Sequence, residues 1–412
     1  MRTTRTHLVI SAAVLGLAGS ALALPAANAA TTSYAYTGSA YSVNTGAKSI
    51  LSSGTVGTAS YCGTVTATKT NKVAATGLST AGSVGAATSS VVASGSGSNR
   101  TTTSTATTGA VNLLGGVIKA DAITTKAVSA HTSTGFTQTG SAKITGLTVA
   151  GQTIPVSPKP NTKITLPLSL GSVVINQQTK NTTSHQMTVN ALSVSLLSGN
   201  SLGLPATTLT VGHAAAALSN PINRLAYGGA MAGRVTLAGG TVVTPSVGVE
   251  SIPCAGTGGA TLTRTTAAVT AGTLALSGTS TSSVTSKDSA TQTTATTTNT
   301  VQGASLLGGA VKLSGVTTKA TATRTASTLT TSIGGTSIGT VTVNGKPVTI
   351  NTKQNNKIDL AGIGTLWTRK VTKTTTGITV EAVELDLLTA QSGLKAGSVI
   401  VVGQASAGVY AS

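Results

Sequence analysis

Four sets of residues in this chain have types and spacings that could do chemistry. The first is a pair of cysteines, Cys62 and Cys254, the only two thiols in 412 residues. In an exported chain a single pair is a disulfide candidate. Each half of the sequence holds one, so neither half can bridge internally. The two pair with each other, pair between molecules, or stay free. The second set is GNSLG, Gly199 to Gly203, which fits G-x-S-x-G with Ser201 at its centre. That motif activates its serine when the residue caps a sharp strand-to-helix turn, whereas the LPATTLTV that follows reads as another strand. With 49 glycines in the chain, a chance match is expected.

The third set is His131, His185 and His213, all in the first half. A Ser–His–Asp relay needs a carboxylate to orient the imidazole, and Asp121 is the one acidic residue between positions 31 and 220. The three read as scattered polar side chains, and zinc is unsupported for the same reason. The fourth set is Glu384 and Asp386, two apart on one strand face and so about 7 Å apart. Paired carboxylates can hydrolyse glycosidic bonds. The matching positions of the first half are Ser193 and Ser195, so a solvated polar face is the expectation. No phosphate loop, redox motif or calcium repeat is present, and too few carboxylates exist for a calcium cage. No catalytic residue, cofactor or metal is therefore assigned.

The elements that position these residues occur twice. LLGGVIKADAITTKAVSA from Leu113 returns as LLGGAVKLSGVTTKATA from Leu306. AYTG at Ala35 returns as AYGG at Ala226, and Cys62 as Cys254. VAGQTIPVSPKPNTKI from Val149 returns as VNGKPVTINTKQNNKI from Val343. MTVNALSVSLL from Met187 returns as ITVEAVELDLL from Ile378, and TVGHA at Thr210 as VVGQA at Val401. The offsets all lie between 191 and 194. Shared order at near-constant spacing means two homologous units, 31–220 and 225–412, with Asn220-Pro221 marking the junction. The period is far too long for a solenoid. If the matching cysteines bridge, the units must pack about an approximate two-fold axis near them.

Each unit reads as β. Thr and Val dominate, and β-branched residues favour strands. Asn344-Gly345 is a strong hairpin signal. Leu192, Val194 and Leu196 share one face and Ser193 and Ser195 the other; Val383, Leu385 and Leu387 repeat this opposite Glu384 and Asp386. Upstream, Met187 and Val189, like Ile378 and Val380, have the opposite parity, which reads as a bulge at one place in both units. Leu-Leu-Gly-Gly suits a bend between strands. The Ser/Thr-rich stretches near 90–110 and 277–300 read as exposed strands rather than linkers. Short strands between Gly-rich turns predict two tandem β-sandwich-like domains, with a parallel β-helix as the alternative.

The N-terminus reads as a secretory signal peptide over residues 1–30: Arg2 and Arg5, an apolar run from Leu8 to Leu24, then Ala27-Asn28-Ala29. No later stretch is long and apolar enough to span a membrane. LPATT at Leu204–Thr208 departs from a sortase signal and reads as a loop. The final IVVGQASAGV matches the end of the first unit, so no sorting tail is expected. Without Arg2 and Arg5, 24 basic side chains face seven acidic ones, a net +17. Such a balance favours polyanions, which for an exported protein are wall polymers, acidic polysaccharide or extracellular DNA; alternatively it only keeps a Ser/Thr-rich surface soluble. One Trp, one Phe and six Tyr leave little for stacking bases or sugar rings, which argues against sequence-specific nucleic-acid recognition and against a ring-stacking sugar module; any polymer would be held by charge and backbone.

The LLGG–V–ADA–T phrase (Leu113 to Ala122), the VAG–P–PNT–I phrase (Val149 to Ile164) and the TVNAL strand (Thr188 to Leu192) resemble the actinobacterial secreted proteins called choice-of-anchor P. The second unit is more divergent, with Leu313-Ser314-Gly315 for Ala120-Asp121-Ala122 and Glu381-Ala382-Val383 for Asn190-Ala191-Leu192. The resemblance covers both units with short motifs. It implies an exported or surface β-domain whose attachment varies, and no activity. The resulting expectation is a non-enzymatic, secreted structural or interaction protein of the cell envelope or extracellular space. Its partners would be an anionic wall polymer or other envelope proteins. A basic module retained on wall polymer is the main alternative, and a secreted hydrolase the lesser one.

Overall fold

The computed structural model describes residues 33–411, apart from 48, 52–53, 240–241 and 272–273. The signal-peptide reading of residues 1–30 lies outside these. No helix among the described residues is long and apolar enough to cross a membrane.

The described chain is almost entirely antiparallel β, in several sheets of which none closes into a barrel. In the first half, one sheet has the order β8-β9-β10-β11-β1. These are Thr162–Leu166, Gly171–Asn181, Gln186–Leu196, Thr208–Ile222 and Ser33–Thr45, with β2 (Ala59–Gly63) also paired to β1. Facing it is a sheet of order β7-β6-β5-β4-β3: Gly135–Thr145, Ala122–Thr132, Asn99–Thr108, Ala87–Ser96 and Ala67–Val73. In the second half the order β16-β17-β18-β19-β12 repeats the first pattern with Asn356–Leu360, Gly364–Lys373, Gly377–Leu387, Val399–Val409 and Ala226–Thr236. It faces a sheet built on β13 (Leu274–Asp288), β14 (Thr293–Leu306) and β15 (Val311–Arg324). Among the described residues no sheet mixes strands from the two sides of the short link 223–225, yet 33–412 form one compact unit. Every named pairing is antiparallel, which rules out the parallel β-helix: matching neighbours fold back on each other instead of stacking.

The repeated phrases of the sequence become matching turns. After Leu113, Leu114 and Gly115 take φ of 56° and 66°, so Ile118 pairs back with Leu113. Leu307 and Gly308 do the same at 54° and 67°. Both leucines of each phrase are buried in their sandwich core. Asn344 and Gly345, at 49° and 77°, make the two-residue hairpin between Val343 and Lys346.

The parity switch is real, but it is not a bulge. Asn176, Ala191 and Gly212 are skipped in neighbouring strands β9, β10 and β11, and the register on either side is unchanged: Ile175↔Leu192 and Gln177↔Asn190, Leu192↔Val211 and Asn190↔His213. Arg369, Ala382 and Gly403 repeat this in β17, β18 and β19. Asn176, Gly212, Arg369 and Gly403 all have positive φ. A whole row of the sheet kinks together, so no strand gains a residue on its neighbour, and each strand turns its other parity inward.

Both Ser/Thr-rich stretches are strands, as expected, but some of their hydroxyls, those of Thr102, Ser104, Thr108, Ser282 and Thr297 among them, are buried. These fill the sandwich beyond the leucine core. Ser104 donates to the Ala215 carbonyl of the opposite sheet at 2.6 Å, Thr102 to Ala217 at 3.0 Å, and Thr297 to Ser406 at 3.0 Å. These three buried hydroxyls are tolerated because each has an acceptor. Opposite them stand Ala214 to Ala217 and Gly38, small enough for the two sheets to come close.

Candidate functional site: the cleft at the disulfide

Cys62 sits in β2, paired with Thr37 of β1. Cys254 follows the two-residue strand Glu250–Ser251, which pairs with β12. Since β1 and β12 hold corresponding places in their sheets, the cysteines do too. They form a disulfide, Cα to Cα 5.7 Å, closing 192 residues of chain. Of the three fates open to the thiols, the structure shows the bridge between matching positions.

A cavity lies on each side of the bridge. The larger, about 510 Å³, is walled by Ser184, His185 and Asn220 from the first half and by Thr257, Lys287 and Asp288 from the second. The smaller, about 310 Å³, lies between Tyr61, Cys62 and Val65 on one side and Tyr410 on the other. Arg224, in the link from β11 to β12, lines both. Its Nη1 is buried without a hydrogen-bond partner among the described residues, as is the Ser184 hydroxyl. A buried donor left unmet costs about 1–3 kcal/mol; both residues line the larger cavity, and unmet buried atoms also occur away from it, at Ser89, Ser280 and Thr318 among others. The Asp288 carboxylate does not answer Arg224. Its Oδ2 accepts the Asn223 backbone N–H at 2.7 Å and the Asn223 amide at 3.0 Å, and its Oδ1 accepts the Thr293 hydroxyl.

The structure does not gather the other sequence candidates into a relay. Ser201 stands on an exposed turn after β10, and a loop and then β11 follow it. His213 stacks on Tyr41, with centroids 4.2 Å apart and planes within 9°. Its Nδ1 is 2.7 Å from Asn190 Oδ1, and burial pulls its pKa down to about 4. His185 stacks on Phe136 at 3.6 Å, with Nε2 3.1 Å from Asn220 Oδ1. His131 meets Phe136 edge-on at 4.6 Å and Tyr34 at 5.0 Å. Much of the scarce aromatic surface of the first half is thus spent on imidazoles. Only His185 borders the cleft.

Glu384 corrects the expectation of a solvated face: it is 5% exposed. Trp367 lies directly across from it on β17, and Lys370 Nζ donates to its Oε1. Trp367 Nε1 donates to Asp386 Oδ2 at 2.9 Å, Arg234 lies 3.8 Å from Glu381, and the ammonium groups of Lys357 and Lys370 stand 5.9 and 5.7 Å from the Trp367 ring. Long side chains from neighbouring strands cover a face that in the first half carries serines. Burial, then Glu381, raises the Glu384 pKa; burial, then Glu384, raises that of Asp386. Burial alone would lower Lys370, but Glu384, Glu381 and Asp386 outweigh it and the pKa is raised. The two carboxylates are engaged with Lys370 and Trp367, and no group of three or more metal-ligating side chains occurs among the described residues.

Compared with family models, curated proteins and solved structures, the chain finds no match. Sequence reasoning reached the disulfide and missed Arg224. The available signal was a lone arginine shortly after Asn220-Pro221, in the link between β11 and β12.

Proposed function

We propose that this chain is an exported, non-enzymatic protein of the cell envelope or extracellular space, a structural and interaction module of the choice-of-anchor kind its motifs resemble. In this reading it is two homologous sandwiches in tandem, and the shared strand order of the two halves supports that origin. The observation that carries the proposal is the Cys62–Cys254 bridge, because disulfides persist in oxidising compartments and are rare in the cytosol. The leader-like N-terminus points the same way.

A second reading, a basic module retained on anionic wall polymer, is favoured by the unmet arginine in the cleft and by the +17 balance. Contacts between cations and a polyanion weaken as salt screens them. Fractionation of the producing culture, with extraction of walls at rising salt, tests both. Protein in the wall fraction that salt releases supports retention by charge. Protein free in the medium at every salt supports a structural or protein-binding role instead. Protein confined to the cytosol defeats both.

A further inference from the structure

The cleft beside the disulfide holds donors that the protein itself leaves unmet. Arg224 belongs to neither sandwich, and it borders both cavities. Its Nη1 and the Ser184 hydroxyl are buried and unbonded among the described residues. Lys287 adds a second cation to the larger cavity. Asp288 is the sole carboxylate among the residues lining that cavity, and both its oxygens already accept bonds from Asn223 and Thr293. The remaining wall mixes hydroxyl and amide groups with the His185 ring and the apolar side chains of Leu218, Ile222 and Leu225, and carries no Tyr, Phe or Trp. A guanidinium with free N–H groups is the side chain best matched to the paired oxygens of a carboxylate or phosphate. Serine, threonine and asparagine around it suit sugar hydroxyls, and about 510 Å³ lies within the range of small-ligand sites.

We infer that this cleft binds an oxyanion-bearing saccharide, with the carboxylate or phosphate group seated on Arg224 and Ser184 and the sugar held by hydrogen bonds. The inference rests on the polyanion reading above and gives that reading a place on the molecule. Recognition runs through charge and hydroxyl donors rather than ring stacking. Because the walls come from both halves, the disulfide holds the site together.

Calorimetric titration of the oxidised mature chain with D-glucuronate and with glycerol phosphate tests it. One saturable site for at least one probe is expected. Arg224→Met should weaken it roughly tenfold or more, Arg224→Lys should weaken it less, and Arg264→Met, outside the cleft, should leave it unchanged. Ser184→Ala gives a second reading should Arg224→Met fail to fold. Binding of glycerol phosphate alone identifies a phosphodiester polymer as the source, and of glucuronate alone a uronic-acid polymer. Failure of both probes to bind, or equal affinity in Arg224→Met and Ser184→Ala, overturns the inference. The wall extraction separates this failure from that of its premise. Salt-released protein that binds neither probe sinks the cleft and keeps the polyanion reading. Probe binding by a protein that walls never retain sinks the polyanion reading alone.

Discussion

The titrating groups of the two sandwiches stand at different places in their sheets and respond to pH in opposite senses. Tyr41, His213, Asn190 and Gln177 stand side by side across the first sheet; Met231, Gln404, Glu381 and Lys370 take the same places in the second. His213 is held neutral in the fold, with its pKa near 4 against an ordinary 6.5. The unfolded chain therefore takes up a proton that the folded chain refuses. The stability His213 contributes is present above about pH 6.5 and is lost as pH falls toward 4, by at most about 3 kcal/mol. Glu384 and Asp386 have raised pKa values, so their contribution is present at the acid end and is lost as pH rises through those values. Two outcomes follow. His213→Gln should raise the melting temperature at about pH 4.5 relative to the parent, with little gain near neutrality. Asp386→Asn, which keeps an acceptor for Trp367 Nε1, should raise it near neutrality, and the gain should vanish in acid. Trp367, the one tryptophan, reports the second by fluorescence. The sequence already paired Ser193 with Glu384; it did not show Glu384 buried, because the cover comes from Trp367 and Lys370 on a strand whose register is set only in the folded sheet.

At the scale of the element, the kink and the close approach of the sheets set which substitutions the sandwich can accept. Gly212 and Gly403 lie at φ of 64° and 70°, and a Cβ there would stand 2.7 Å from Thr125 Oγ1 or 2.4 Å from Thr318 Oγ1. Backbone strain and overlap act together, so Gly403→Ala should cost about 1–3 kcal/mol in urea unfolding. Gly38 has no unusual φ, yet its Cβ would lie 2.3 Å from Val91 Cγ1 and 2.8 Å from Ser104 Oγ. Gly38→Ala should therefore cost a similar 1–3 kcal/mol, about that of overpacking a full core. An unchanged midpoint would mean that the sheets part more easily than their hydroxyl bonds imply. Alternation and turn residues made the strands, the Asn344-Gly345 hairpin and the parity switch legible. The form of the switch was hidden, since Arg369 does not announce a positive φ, a lone Asn176 inside a strand pattern does so only weakly, and a row-wide kink is a property of neighbouring strands together. The buried hydroxyls were hidden for a related reason: a serine reads the same outside a sheet as inside one, until a carbonyl opposite is known to meet it.

For the whole molecule the question is what joins two sandwiches whose main apolar cores are separate. Three residues, Asn223 to Leu225, connect β11 to β12, and Asn223 ties that link to Asp288. The disulfide is the other junction. A link that short keeps the folded halves adjacent but does nothing to the 192 residues between the cysteines once the chain unfolds. On the chain-entropy account, closing such a loop destabilises the unfolded state by about 5 kcal/mol, which is comparable with the whole stability of a small domain. In the oxidised protein, opening either half strains the other through the bridge, and the two should melt in one transition. In Cys62→Ser/Cys254→Ser each half keeps its own core, so the far-ultraviolet β signal should persist at low temperature. Stability should then fall by up to about 5 kcal/mol, and the transition should split, with Trp367 reporting only the half that contains it. The cleft should loosen in the same variant, because Ser184 and Lys287 reach it from the two halves that the lost bond joined. A single transition at the parent midpoint, seen both by Trp367 and by the β signal, would show that packing across the link and the cleft walls couples the halves without the disulfide.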